Sequence, residues 1–422
     1  MRWTTTSLRT NEDETTLGEG EAHRRDATKD LDHRVRRAFD LRTLPIICCL
    51  YVLSYVDRGN IGNAKTAGAQ RDLALTSYEW SWVLNSFYLT YILFEWSTML
   101  WKIFPAHVYV SVLCLLWGAS AMSSGAARNL TQLIVTRCLL GMFEAAFGVG
   151  APYFLSLLYK RQELGLRMSF LLGMSPLANT FASSLAYGIT HIKGSSEPWR
   201  LLFIIEGAPT ILFAPVVYFF LIDSPGTARF LSEEERQHAE ERLQVRDTSP
   251  TKRGVVQWKQ VLAGLADYKN YTHALIHFCC NFSFAALSNF LPSIVEGMGY
   301  LGAWLAACGV FPALSINITW LLNNQGGDSK KGAGLGVALI VGQCSSLISS
   351  VVFPLEDGPL YTKGCAIGCA FTGLIVLLSL ALHFLLDREN RRRDELYGPV
   401  DPDAEVDVTD EGDYHVQFRY LT

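Results

Sequence analysis

The sequence predicts an all-α polytopic membrane protein, and two observations carry that prediction. The first is where the charge sits. Of 76 charged residues, 49 fall in three stretches, 1–40, 223–270 and 387–422, and the remaining 298 residues hold only 27. Tracts that poor in charge cannot form the surface of a soluble protein. The second is run length. Apolar segments recur at the roughly 20 residues that a helix needs to cross the ~30 Å hydrocarbon layer. They are continuously apolar, not alternating as in a barrel, so helices satisfy the backbone.

Ten spans are expected: about 43–64, 80–101, 107–126, 131–157, 168–190, 200–222, 272–295, 302–322, 333–353 and 364–386. Six precede the charged stretch 223–270 and four follow it. Basic residues belong on the cytoplasmic side. Arg34, Arg36 and Arg37, then Lys160, Arg161 and Arg167, then Lys330 and Lys331, then Arg388, Arg391, Arg392 and Arg393 fall on one side if the spans alternate, against a few cations opposite, including Arg71, Arg128 and Lys193. Both termini are then cytoplasmic. The expected organisation is a disordered N-terminus (1–40), a six-helix bundle (41–222), a linker (223–270), a four-helix bundle (271–386) and a C-terminal tail (387–422). Within the linker, Ser232 and Glu235 form a capping box that opens a solvated helix over 229–246. The acidic tail reads as unstructured from 394.

The ten cysteines lie in apolar runs without metal spacing and read as small apolar fillers. No phosphate loop ending in Gly-Lys-Ser/Thr exists, so ATP-driven pumping is not expected. The Gly332, Gly334 and Gly336 series reads as small residues for close helix packing. No nucleophile with its base accompanies them, so the chain is not expected to be an enzyme. No cofactor and no nucleic-acid partner are expected; the partners are a solute, protons and the lipid bilayer.

Ionisable residues inside spans are costly and mark function by default. Asp57 lies 14 residues into the first span, about 21 Å deep at 1.5 Å per residue. Arg58 follows it. Arg137 lies seven residues into the fourth span, which enters from the other side, so Asp57 and Arg137 share a depth and are expected to pair. Glu144 sits one heptad further along the face of Arg137. Gly141, Ala145, Ala146, Gly148 and Gly150 keep that helix slim. Glu95 and Glu206 complete the set, Glu95 as a packing residue and Glu206 as a register device. A guanidinium in an aqueous cavity is a bidentate clamp for a carboxylate, and Asp57 and Glu144 can carry protons.

These residues also carry a family resemblance. YVLSYVDRGNIGNAKTAG (51–68), RCLLGMFEAAFGVGAPYFLSLLYKRQELGLR (137–167), WRLLFIIEGAPT (199–210) and FLPSIVEGMGY (290–300) resemble the anion:cation symporter branch of the major facilitator superfamily. The likeness is greatest to fungal allantoate and nicotinate permeases. It implies two six-helix bundles, alternating access and proton-coupled uptake of an organic anion across the plasma membrane, the proton gradient being the driving force. It points to Asp57, Arg58, Asn60, Arg137 and Glu144, with Asn281 and Asn289 as further substrate-binding candidates. Arg58, Arg137 and the asparagines would bind substrate, while Asp57 and Glu144 would couple protons. The sequence departs from the family after GMGY. Tyr300 runs directly into Leu301-Gly302, as if helices eight and nine of the family were missing. Loss of an even number leaves every remaining helix in its orientation. Export of a secondary metabolite, or a truncated paralogue that senses without transporting, are the alternatives.

Overall fold

The structure, a computed structural model, describes residues 28–191, 197–244, 257–352, 362–400 and 412–422, without the side chains of 190, 286–307, 350 and 351. Helices cover each of the ten expected ranges, and no strand occurs among the described residues. In chain order they are α1 (Leu44–Thr66), α2 (Ser77–Phe94), α3 (Ala106–Ser124), α4 (Leu130–Ser156), α5 (Arg161–Thr190), α6 (Pro198–Phe220), α7 (Glu233–Gln244), α8 (Trp258–Ala266), α9 (Tyr268–Asn323), α10 (Asp328–Val352) and α11 (Thr362–Tyr397). Six of the described helices are long and apolar enough to cross a membrane by themselves.

Local chemistry sets their starts. Thr76 caps α2 by accepting from the Glu79 amide, and the Glu79 carboxylate accepts from the Thr76 amide at 2.8 Å. The Asn129 side chain accepts from the Gln132 amide at 2.9 Å and opens α4. The Ser232–Glu235 box expected in the linker forms, with the Glu235 carboxylate accepting from the Ser232 amide at 3.0 Å, and α7 follows.

The first six helices pack in pairs, α3 on α6, α2 on α4 and α1 on α5, and α5 also meets α9. Small residues let α2 and α4 approach. A Cβ at Gly141 would strike the carbonyl of Phe87 and the hydroxyl of Thr90, and one at Gly148 the hydroxyl of Tyr91. The Trp101 indole, whose ring a Cβ at Gly150 would strike, donates to the Ala146 carbonyl at 2.7 Å. Backbone cannot yield as a flexible side chain can. Gly141→Val is therefore expected to cost about 1–3 kcal/mol by overpacking, seen as a lowered unfolding temperature of the purified protein.

Two of the expected spans, 272–295 and 302–322, fall within the one helix α9. A straight helix of these 56 residues would run about 84 Å, yet its ends touch. His273 Nδ1 lies 2.8 Å from Asn317 Oδ1, and the Phe284 and Phe311 rings are 5.6 Å apart. Beyond the helix end, Gln325 donates to Asn270 at 2.6 Å. The chain therefore doubles back between Phe284 and Phe311. The two arms lie side by side, and they cover the two ranges read from hydropathy.

Residues 1–27 and 401–411 of the two expected disordered segments lie outside the described residues, and the rest of both segments is ordered. The expected disordered N-terminus is helical from residue 28, and Val35 and Phe39 are buried. Asp32 receives Lys160 at 2.5 Å and His238 at 2.8 Å, and Asp40 pairs with Arg167. At the other end α11 runs to Tyr397, past the expected boundary at 394, and residues 412–422 fold back onto the protein. Asp413, fully buried, accepts from Lys269 and Lys330 at 2.6 Å each. Phe418 and Tyr420 pack on Leu382 and Leu386. Compositional acidity predicts solvation, but it cannot foresee two buried lysines more than 80 residues away that need an acid.

Candidate functional site

Helix α1 places Tyr51, Ser54, Tyr55 and Arg58 at i, i+3, i+4 and i+7, and so on one face. That face borders a cavity in the middle of the protein. Tyr91, Glu95, Gly148, Pro152 and Ser175 continue the wall, and α9 and α10 close it with His277, Asn281, Phe284, Phe311 and Gln343. The cavity thus lies between the first six helices and those that follow the linker.

Arg58 is the cation on this wall. Its Nη2 and Nε donate to Glu144 Oε1 at 2.7 and 3.0 Å, and Ser54 donates to the same oxygen at 2.7 Å. Glu144 Oε2 has no hydrogen-bond partner among the described residues. The guanidinium is ringed by Tyr55, Phe87 and Tyr91, whose centroids lie 4.7–5.1 Å away. Such aromatic faces hold a cation without neutralising it.

The expected pair of Asp57 with Arg137 does not form. The two residues do meet at one depth, but Arg137 donates to the backbone carbonyls of Asp57 and Arg58, at 3.5 and 3.2 Å. The Asp57 carboxylate turns the other way and accepts from Thr210 at 2.8 Å and Trp117 at 3.1 Å. Successive residues on a helix point about 100° apart, so Asp57 faces into α3 and α6 while Arg58 faces the cavity. The arginine–carboxylate pair that exists is Arg58 with Glu144.

Of the other candidates, Asn60 is buried and donates to the Leu202 carbonyl at 3.5 Å, a helix-to-helix contact away from the cavity wall. Asn281 lines the cavity while its amide donates to the Gly342 carbonyl and Ser346, both at 2.9 Å. The side chain of Asn289 lies outside the described residues. Glu206 is buried with neither oxygen partnered. Sequence reasoning missed His277, Ser175 and Gln343 as cavity residues. The available signal was polarity within a span, but it does not say which face a polar residue occupies. Among the described residues no group of His, Cys, Asp and Glu could hold a metal ion.

An all-helical chain wrapped around a cavity walled from both sides of a linker is the architecture of a membrane transporter. The chain belongs to the Major Facilitator Superfamily, whose family model matches residues 47–392. It is 36% identical over 346 residues to the MFS transporter prlL of Fungal sp. (strain NRRL 50135), covering 78% of this chain and 68% of that protein. It is 27% identical to the high-affinity nicotinic acid transporter of Saccharomyces cerevisiae, covering 93% of this chain and 85% of that one. That second alignment runs over 461 positions. Since 93% of 422 residues is about 392, about 69 positions have no residue in this chain. Among solved structures, the human organic anion transporter MFSD10 (TETRAN) matches with a TM-score of 0.54 at 12% identity, covering 81% of this chain and 99% of that one. The proton:xylose symporter XylE bound to 6-bromo-6-deoxy-D-glucose gives 0.52 at 12% identity, covering 87% and 97%. These structural matches show the same fold.

Proposed function

We propose that this transporter takes up a small organic anion together with a proton. The observation that carries the reading is the Arg58–Glu144 pair on the cavity wall. Arg58 holds one oxygen of Glu144, and a bidentate guanidinium suits a substrate carboxylate equally well. A proton on Glu144 removes the competing charge, and the incoming carboxylate takes its place on Arg58. Anion and proton then occupy the site together, which is the elementary requirement for coupling. Asp57, enclosed by α1, α3 and α6, is a second carboxyl for the proton, and Arg137 fixes the turn of α1 that carries both residues. The name of the yeast relative, a nicotinic acid transporter, supports a carboxylate substrate.

In this reading residues 41–222 and 271–386 are the two moving units, 223–270 joins them, and both termini face the cytoplasm at the plasma membrane. The absent stretch between Tyr300 and Leu301 corresponds to helices eight and nine of the family. The test is uptake of labelled nicotinate or benzoate into liposomes containing the purified protein. An acidic exterior is expected to raise accumulation several-fold, and a protonophore to collapse it. Folded protein that accumulates neither acid under any gradient would overturn the reading and leave the non-transporting alternative.

A further inference from the structure

Three residues of the cavity wall carry buried polar atoms without partners among the described residues. Both carboxyl oxygens of Glu95, the hydroxyl of Ser175 and Nδ1 of His277 lack a hydrogen-bond partner, although the three residues are only 0, 3 and 4% exposed. Buried polar groups in native proteins nearly always find partners. On a cavity wall such atoms are within reach of a solute that can partner them.

Glu95 is the most demanding of these. It opens the 3₁₀ segment Glu95–Met99, where α2 gives up its α-helical hydrogen bonding. Such breaks within a helix often mark functional positions. A carboxyl, with or without its proton, keeps an oxygen that accepts hydrogen bonds. Arg58, the cation on the same wall, is already committed to Glu144. Glu95 therefore awaits a donor that the described residues do not supply. Tyr55, Tyr91 and Phe311 line the same cavity and offer aromatic surface to an aromatic solute.

We propose that Glu95 contacts the substrate directly, accepting a hydrogen bond from a nitrogen donor, N–H or ammonium, so that the site selects acids carrying such a nitrogen over simple acids of equal size. The proposal rests on the organic-anion reading above, in which Arg58 takes the acid end. The packing role that the sequence alone suggested for Glu95 gives way to substrate selection.

Two probes of matched shape test it: 3-(aminomethyl)benzoate, which carries an ammonium, and 3-ethylbenzoate, which does not. Their binding is measured by ligand-induced thermal stabilisation of the purified full-length protein. The wild type is expected to bind the amine at least tenfold more tightly. Glu95→Gln is expected to reduce that preference to within twofold while retaining the ethyl compound. Glu95→Asp, which keeps the charge on a shorter arm, is expected to restore part of it. A preference unchanged in Glu95→Gln, or an equal loss of both probes, would overturn the proposal and leave Glu95 structural. Equal binding of both by the wild type would also overturn it. If the wild type binds neither probe, the organic-anion reading fails, and this proposal with it.

Discussion

Arg58→Gln is expected to reduce accumulation of a labelled organic acid at least a hundredfold. Arg58 is the cavity cation in this site, and glutamine offers neither its charge nor its paired donors. The same change breaks a buried pair. Glu144 would keep only Ser54 as a donor, in a position with no exposure to solvent. Removing one partner of such a pair costs about 3–5 kcal/mol, so lost transport could reflect lost folding. The double variant Arg58→Gln with Glu144→Gln separates the two. With both charges gone, stability should largely return while transport stays absent. Arg58→Lys keeps the charge but not the bidentate geometry, and is expected to lose about tenfold. Near-normal uptake by a folded Arg58→Gln variant would make the pair a purely structural device. Uptake and the unfolding temperature, measured on the same preparations, decide between these outcomes.

Asp413→Ala is expected to release residues 412–422 from the protein. Asp413 and Asp267 together serve Lys269 and Lys330. Without Asp413 two buried ammonium groups share one carboxylate, a loss of about 3 kcal/mol. Hydrogen exchange at 412–422 should rise while exchange in α4 stays slow. Protection unchanged at the tail would show that Phe418 and Tyr420 suffice to hold it. Burial alone would raise the Asp413 carboxyl, but Lys269 and Lys330 outweigh that and hold it below its ordinary value. A lowered folded-state value means the contribution is present above the ordinary carboxyl range, about pH 4, and is lost as pH falls through the lowered value. Docking of the tail is thus expected to be constant between pH 5 and 8, across the range in which coupled transport would be measured.

Hydropathy and charge made most of the architecture legible, because a span is a local property of about 20 residues. They even separated the two arms of α9, whose helical backbone runs on through the point where the chain reverses. The site was legible only in part. Counting residues set Arg137 level with Asp57, and Arg137 does reach the backbone of Asp57 and Arg58. Depth does not give direction around the helix axis, and adjacent residues diverge too widely for it to choose between them. Hence the aspartate was paired with the arginine, where the structure pairs the neighbouring arginine with Glu144. Glu95 was visible as an intramembrane acid, but its place on the cavity wall depends on which helices pack around it, and no residue pattern announces that. The tail was illegible for another reason: Asp413 is one acid among many there, and its partners are fixed only by the folded chain.

The position of α11 has a practical side. Its most apolar window is 6% buried within the protein, against 39–61% for the other helices of spanning character. Ile367, Val376, Leu377, Leu380 and Phe384 stand exposed along it. In a bilayer, acyl chains rather than neighbouring helices must complete the packing on that flank. Lipid is then a component of the folded state, and its removal acts as a mutation would. Purification in harsh detergent should loosen the second half before the first, whereas nanodiscs should keep both together.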